Sequence, residues 1–179
     1  MAVHSSDPGD EAGLGLIELL VAMLVAAIVV IAAASILVNS WLTQEDVTST
    51  TQATTRGQVM GSAMERALRN AKDIQVLPTD ANGTELRVWT TLGGTQTCQG
   101  FQLTTGTATI ATSNGMLPAV GNWAEWQTGI VDHDGEPFFV KSGDTVRYAF
   151  DIQTESAPAP FSGEATMRST ATGEISPCW

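Results

Sequence analysis

The sequence predicts an α+β fold: one long amino-terminal α-helix, with a transmembrane upper half and an amphipathic lower half, packed on an antiparallel β-sheet head. Three observations predict it. No charged side chain occurs from Leu19 to Gln44. Apolar residues then recur at three- and four-residue steps as far as Ile74, the period of one helix face. After Gly83 the pattern becomes alternation at two-residue steps, punctuated by Gly, Asp and Pro, which is the pattern of short strands and turns.

The elements follow in order. Residues 14–42 read as a helix apolar on all sides, and at about 1.5 Å per residue it exceeds the roughly 30 Å hydrocarbon thickness of a bilayer. No proline precedes Pro78 after Pro8, so nothing in this helix demands a kink. Residues 43–55 are rich in Thr and Ser, poor helix formers, and are read as its continuation. Met60, Ala63, Met64, Ala67, Leu68, Ala71 and Ile74 form one apolar face, with Arg66, Arg69, Asn70 and Asp73 opposite. Pro78 and the turn at 80–83 end the pattern. The expected divisions are therefore 43–77 as amphipathic helix and 78–179 as β-rich head. Gly57 and Gly61 lie beyond the apolar run, and close helix–sheet packing or local weakening of the helix explains them better than pairing of helices in a membrane.

In the head, Leu86, Val88 and Thr90 alternate with Arg87 and Trp89. Residues 98–103 and 107–112 flank Thr104-Thr105-Gly106, a hairpin pattern. Residues 130–132 and 137–140 flank His133-Asp134-Gly135, read as a solvated hairpin turn. The clearest strand is 146–152, where Val146, Tyr148, Phe150 and Ile152 share a face opposite Arg147, Ala149 and Asp151. Residues 165–169 supply one more. Residues 113–129 and 154–163 read as loops, and Trp123 and Trp126 as loop core, with a contact surface as the less common alternative.

The formal charge of −11 gives no general attraction for DNA or anionic lipid. All eight Lys and Arg are scattered between Arg56 and Arg168, so no phosphate-binding stripe is present and no direct nucleic-acid binding is expected. Acids flank the apolar run on both sides, so charge gives little signal of orientation.

The entrance to the apolar run carries the most information. Gly13-Leu14-Gly15-Leu16-Ile17-Glu18-Leu19-Leu20 places a small residue, then one carboxylate, at the mouth of a long span. Acids are rare there because a lone carboxylate in hydrocarbon costs several kcal/mol. This segment resembles the processing and assembly motif of type IV prepilins and type II secretion pseudopilins. The resemblance implies a leader at 1–13, cleavage after Gly13 by a prepilin peptidase, methylation of the new amine on Leu14, and an assembly role for Glu18, fifth residue of the mature chain. Leu14 stands where the family usually has Phe and Gly15 where it often has Thr. The leader carries Asp7, Asp10 and Glu11 and no Lys or Arg, whereas family leaders normally hold a basic residue. Loss of the leader would bring the charge from −11 to −8 by removing three acids.

The family implies a pilin-like fold in the cytoplasmic membrane, single-pass, with an extracytoplasmic carboxy-terminal domain, and later a cell-surface or envelope filament. Partners would be other pilins or pseudopilins, the peptidase and an inner-membrane assembly platform. On that side of the membrane Cys98 and Cys178, the two cysteines of the chain, are expected to pair. Two thiols without a neighbouring His fall short of a zinc site. The soluble part is similar, more loosely, to PilW-like minor pilins and GspJ-like pseudopilins, through Arg-Asn-Ala-Lys-Asp-Ile at 69–74 and Cys-x-x-Phe-x-Leu at 98–103.

Other function classes have less behind them. Ala32-Ala33-Ala34 before Ser35 suits a signal peptidase, which would make the chain a secreted binding domain; an uncut span would make it a single-pass anchored one. Asp132-His133-Asp134-Gly135-Glu136 alternates acids as calcium loops do, but lacks the twelve-residue loop and distal glutamate of an EF-hand. No catalytic motif accompanies His133, so neither enzyme activity nor a cofactor nor a metal is expected.

Overall fold

The structure, a computed structural model, describes residues 11–78, 84–91, 94–168 and 176–179. Two compact units divide the chain, Met1–Glu45 and Asp46–Trp179. The first element, α1, is a helix over Glu11–Arg69. In the first unit its large apolar side chains from Leu16 to Leu42 are all exposed. The Thr- and Ser-rich stretch is helical too. Hydroxyls of Thr43, Thr51, Thr54 and Thr55 each donate to the carbonyl four residues earlier, at 2.7–2.9 Å, so side chains that compete with helix backbone elsewhere are absorbed into the ladder.

Helix α1 stops eight residues short of the expected 77. Its last turn carries Arg66 and Arg69, which suit the negative helix end. Asn70 follows, its amide donating to the Arg66 carbonyl at 2.7 Å. The next element is a strand, β1 (Ala71–Pro78), where the sequence pattern suggested more helix. The cause is a β-bulge. Ala71 pairs with Thr90 and Asp73 with Trp89, so Lys72 is an extra residue. It shifts the strand parity and puts Ala71 and Ile74, three residues apart, on the same buried side. A bulged strand thus imitates the helical step.

The head contains two antiparallel sheets. The first orders β1, β2 (Thr84–Thr90), β3 (Thr97–Thr104), β4 (Thr107–Ser113) and β5 (Ala124–Thr128) as a meander. The hairpin at 104–107 is as expected, with Gly106 at φ +99°, a backbone shape open mainly to glycine. The stretch expected as the 113–129 loop contains a 3-10 turn at Val120–Asn122 and then β5.

The second sheet is built on β8 (Thr145–Ile152). Its partners are β9 (Ala159–Thr166) along its whole length, and β6 (Ile130–Val131) and β7 (Phe139–Ser142). Two expectations are corrected here. Residues 159–163 belong to a strand rather than to a loop, despite Pro160. And His133-Asp134-Gly135 is no hairpin turn: β9 fills one edge of β8, so β6 and β7 lie in succession along the other, and the segment between them bulges outward.

The main core lies where the head part of α1 meets these sheets. Met60, Met64, Ala67 and Leu68 are buried with Leu86, Val88, Phe101, Leu103, Val146, Phe150 and Ile152. Gly57 and Gly61 are buried in this contact. A Cβ on Gly57 would enter the ring of Phe161 on β9, and one on Gly61 would lie 2.7 Å from the Tyr148 hydroxyl. The glycines are therefore recesses for two aromatic side chains. Phe161 stacks on Phe150 at 5.5 Å between centroids, and Phe150 on Tyr148 at 6.1 Å.

Gly57→Leu is expected to destabilise the head by about 1–3 kcal/mol through overpacking, lowering the denaturant midpoint of the chain in detergent. Gly57→Ala is expected to lose less, because Ala is favoured over Gly in a helix by about 1 kcal/mol.

Candidate functional site

The residues singled out at the amino terminus all fall on α1. Gly13 and Leu14 are in its first turn. Glu18 is exposed and has no hydrogen bond or ion pair among the described residues. Leu14 and Glu18 are four residues apart on a helix, which places them on one face. Around Glu18 the surface is apolar: Leu16, Ile17, Leu19 and Leu20 are each more than half exposed. A carboxylate so placed has no partner of its own if the surrounding helix enters hydrocarbon or another apolar medium, where an unpaired charge is costly. The helix is long and apolar enough to cross a membrane, and its most apolar window is unburied. Ala32, Ala33 and Ala34 continue this helix, with the Ser35 hydroxyl donating to the Ile31 carbonyl at 2.9 Å.

In the head, Cys98 and Cys178 form a disulfide, with Cα atoms 5.5 Å apart across a sequence separation of 80. It sits in a second core formed with Trp89, Ala111, Leu117 and Trp123. Trp89, Cys98 and Ala111 alternate along their strands with members of the main core, so this cluster occupies the opposite face of the first sheet. The loop after β4 is drawn over it. The Leu117 amide donates to the Cys178 carbonyl at 3.2 Å, and the Trp123 indole N–H to the Pro118 carbonyl at 2.9 Å. Trp123 rests on Gly100, where any Cβ would enter its ring. Of the tryptophans read as loop core, Trp123 fills this second cluster, while Trp126 stands on β5 and packs against Phe101 at 5.7 Å.

Two polar groupings were not legible in the sequence. Tyr148 donates its hydroxyl to Glu65 on α1 at 3.0 Å, and Glu65 also pairs with Arg69 at 2.8 Å. Burial, and then the Glu65 carboxylate, raise the Tyr148 pKa above the usual phenol range. The second grouping surrounds His133, whose Nδ1 lies 2.7 Å from Asp151 Oδ1 on β8. Its pKa is raised, chiefly by the Asp151 hydrogen bond and charge. The nearby acids have other engagements. Asp132 accepts the Gly135 amide at 2.9 Å, and Glu136 pairs with Arg147 at 3.3 Å. Among the described residues no three His, Cys, Asp or Glu side chains are grouped to hold a metal.

No family model, curated protein or solved structure matches the chain.

The disulfide joins residues 80 positions apart in the sequence, so its removal is measurable. Cys178→Ser is expected to cost up to about 4–5 kcal/mol in the chain-entropy picture of a loop of this size. The fall should appear as a lower melting temperature, matched by wild type under reducing conditions. Native oxidised protein should show no free thiol.

Proposed function

We propose that this chain is a minor pilin or pseudopilin, a structural subunit of a type IV pilus or type II secretion-like filament. A prepilin peptidase would cut after Gly13 and methylate Leu14. The observation that carries the reading is Glu18: one carboxylate with no partner among the described residues, on the face of Leu14, at the start of an apolar helix that continues into a disulfide-closed β domain.

Charge balance explains why cleavage and assembly would be coupled. Before cleavage Leu14 is joined through a neutral amide. Afterwards it carries a positive amine one helical turn from Glu18, and a buried charge requires a partner. Cleavage would thus create the cation that Glu18 neutralises, on its own helix or on a neighbouring subunit. A pairing between neighbours fixes how far one helix is displaced along another, which is the register of a filament. The apolar surface from Leu16 to Leu42 suits both hydrocarbon before assembly and other such helices after it. In this reading the head faces outward from the cytoplasmic membrane, and other proteins, the platform among them, drive assembly.

Two variants test the reading. Gly13→Leu is expected to stop maturation, since a bulky side chain obstructs a peptidase that accepts a nearly bare backbone; a normal mature product from this variant counts against the site. Glu18→Leu is expected to leave membrane insertion and cleavage intact and to shift the mature protein from the sheared filament fraction to the membrane fraction. Loss of a buried counter-charge costs a few kcal/mol, or more than about tenfold in the assembly equilibrium. Wild-type partitioning of Glu18→Leu would remove charge pairing from the account.

A further inference from the structure

We propose that the contact between His133 and Asp151 is a pH-dependent latch, in which the protonated imidazole holds residues 132–136 against β8 and deprotonation loosens them. The segment needs such a fastening because of where it lies. β6 pairs with Ile152 and Asp151 at one end of β8, and β7 with residues 145–148 at the other. Between them the chain leaves the sheet edge and returns at Phe138, whose carbonyl accepts the Ala149 amide at 3.1 Å. His133 reaches back from this bulge to the side chain of Asp151, the residue that opposes Val131 in the β6–β8 pairing.

The charges around the bulge make the imidazole decisive. From the segment itself Asp132, Asp134 and Glu136 approach, with Asp134 Oδ2 3.9 Å from His133 Nε2. From β8 come Asp151 and Arg147, the latter 3.3 Å from Glu136. From β9, Glu164 stands in register with Arg147 and the uncharged Pro160 opposite Asp151. Five carboxylates thus surround one arginine and one histidine. A charged imidazole gives Asp151 and Asp134 a shared cation, one at each ring nitrogen, while a neutral one keeps only the hydrogen bond between His133 and Asp151. His133 is the sole histidine after residue 4, so no other imidazole in the head titrates between about pH 5 and 8.

The sign follows from the raised pKa. A group bound more tightly to its proton in the folded state contributes stability that is full below its ordinary value of 6.5 and is lost as pH rises through the folded value. The latch therefore holds in mild acid and weakens toward alkaline pH. It does not depend on the proposed function, although an exported head would meet such changes of pH directly.

The test uses the full chain in detergent micelles. The imidazole of His133 is titrated by NMR, and hydrogen exchange of the Gly135 and Glu136 amides, which bond to Asp132 Oδ2 and the His133 carbonyl, is followed relative to Phe150 in β8. Exchange is corrected for its intrinsic pH dependence. The expected result is a midpoint above 6.5, with protection of the two amides falling through that midpoint while Phe150 is unchanged. His133→Gln should abolish the pH dependence, and in Asp151→Asn the midpoint should move down. A wild-type midpoint at or below 6.5, flat protection across it, or an unaltered pH dependence in His133→Gln would each overturn the latch, and the first two need no variant.

Discussion

The closeness of α1 to the sheets in the head is the constraint on which the rest of the domain depends. Gly57 and Gly61 remove two side chains from the helix face, and the rings of Phe161 and Tyr148 occupy the vacated space. Gly163 on β9 makes room for the same tyrosine hydroxyl from the other side. With the phenol seated there, its O–H reaches Glu65 on α1, so a buried polar group is satisfied rather than stranded. The helix, β8 and β9 are held in one register by this contact, and the main core of Met60, Met64, Leu68, Phe101 and Phe150 fills in around it. Small residues in that helix are thus a packing device, which costs helix propensity and returns aromatic burial.

The first sheet carries apolar side chains on both faces, and this explains the rest of the head. One face belongs to the main core. The other would expose Trp89, Cys98 and Ala111 were it not covered by the loop after β4 and by the carboxy-terminal residues. The disulfide holds that cover from beneath through Cys98 and from above through Cys178. It is consequently both a chain-entropy constraint and a fixing point for the Leu117 amide, which takes its carbonyl partner from Cys178.

Much of this was legible in the sequence where one periodicity acted alone. The charge-free run, the apolar face from Met60 to Leu68, the hairpin around Gly106 and the alternation of β8 all appear in the structure. Legibility failed where a local irregularity or a distant partner decided the outcome. The extra residue Lys72 disguised the start of β1 as helix. Pro160 discouraged a strand, yet β9 pairs with β8 along eight residues, at the sheet edge where proline is tolerated. The His133 segment was correctly a turn region but incorrectly a hairpin, because its flanking strands pair with a third strand rather than with each other. Nothing local announces that Asp151 would be the partner of His133, or Glu65 that of Tyr148. Residues 1–10 of the expected leader 1–13 lie outside the described residues, as does part of the expected strand at 165–169.

Helix α1 has two halves with different surroundings. From Leu16 to Leu42 its large apolar side chains are exposed, and from Ala53 to Leu68 one face is covered by the head. The proposal is that the first half would become functional only after a cut between Gly13 and Leu14, which would supply the charge complementary to Glu18. Its most direct measurement is the identity of the amino-terminal residue of the mature protein, by sequencing and mass, from the membrane and filament fractions of the cells that make it. The account predicts Leu14 carrying one added methyl group. A mature chain beginning at Ser35, or at an uncut Met1, would contradict it.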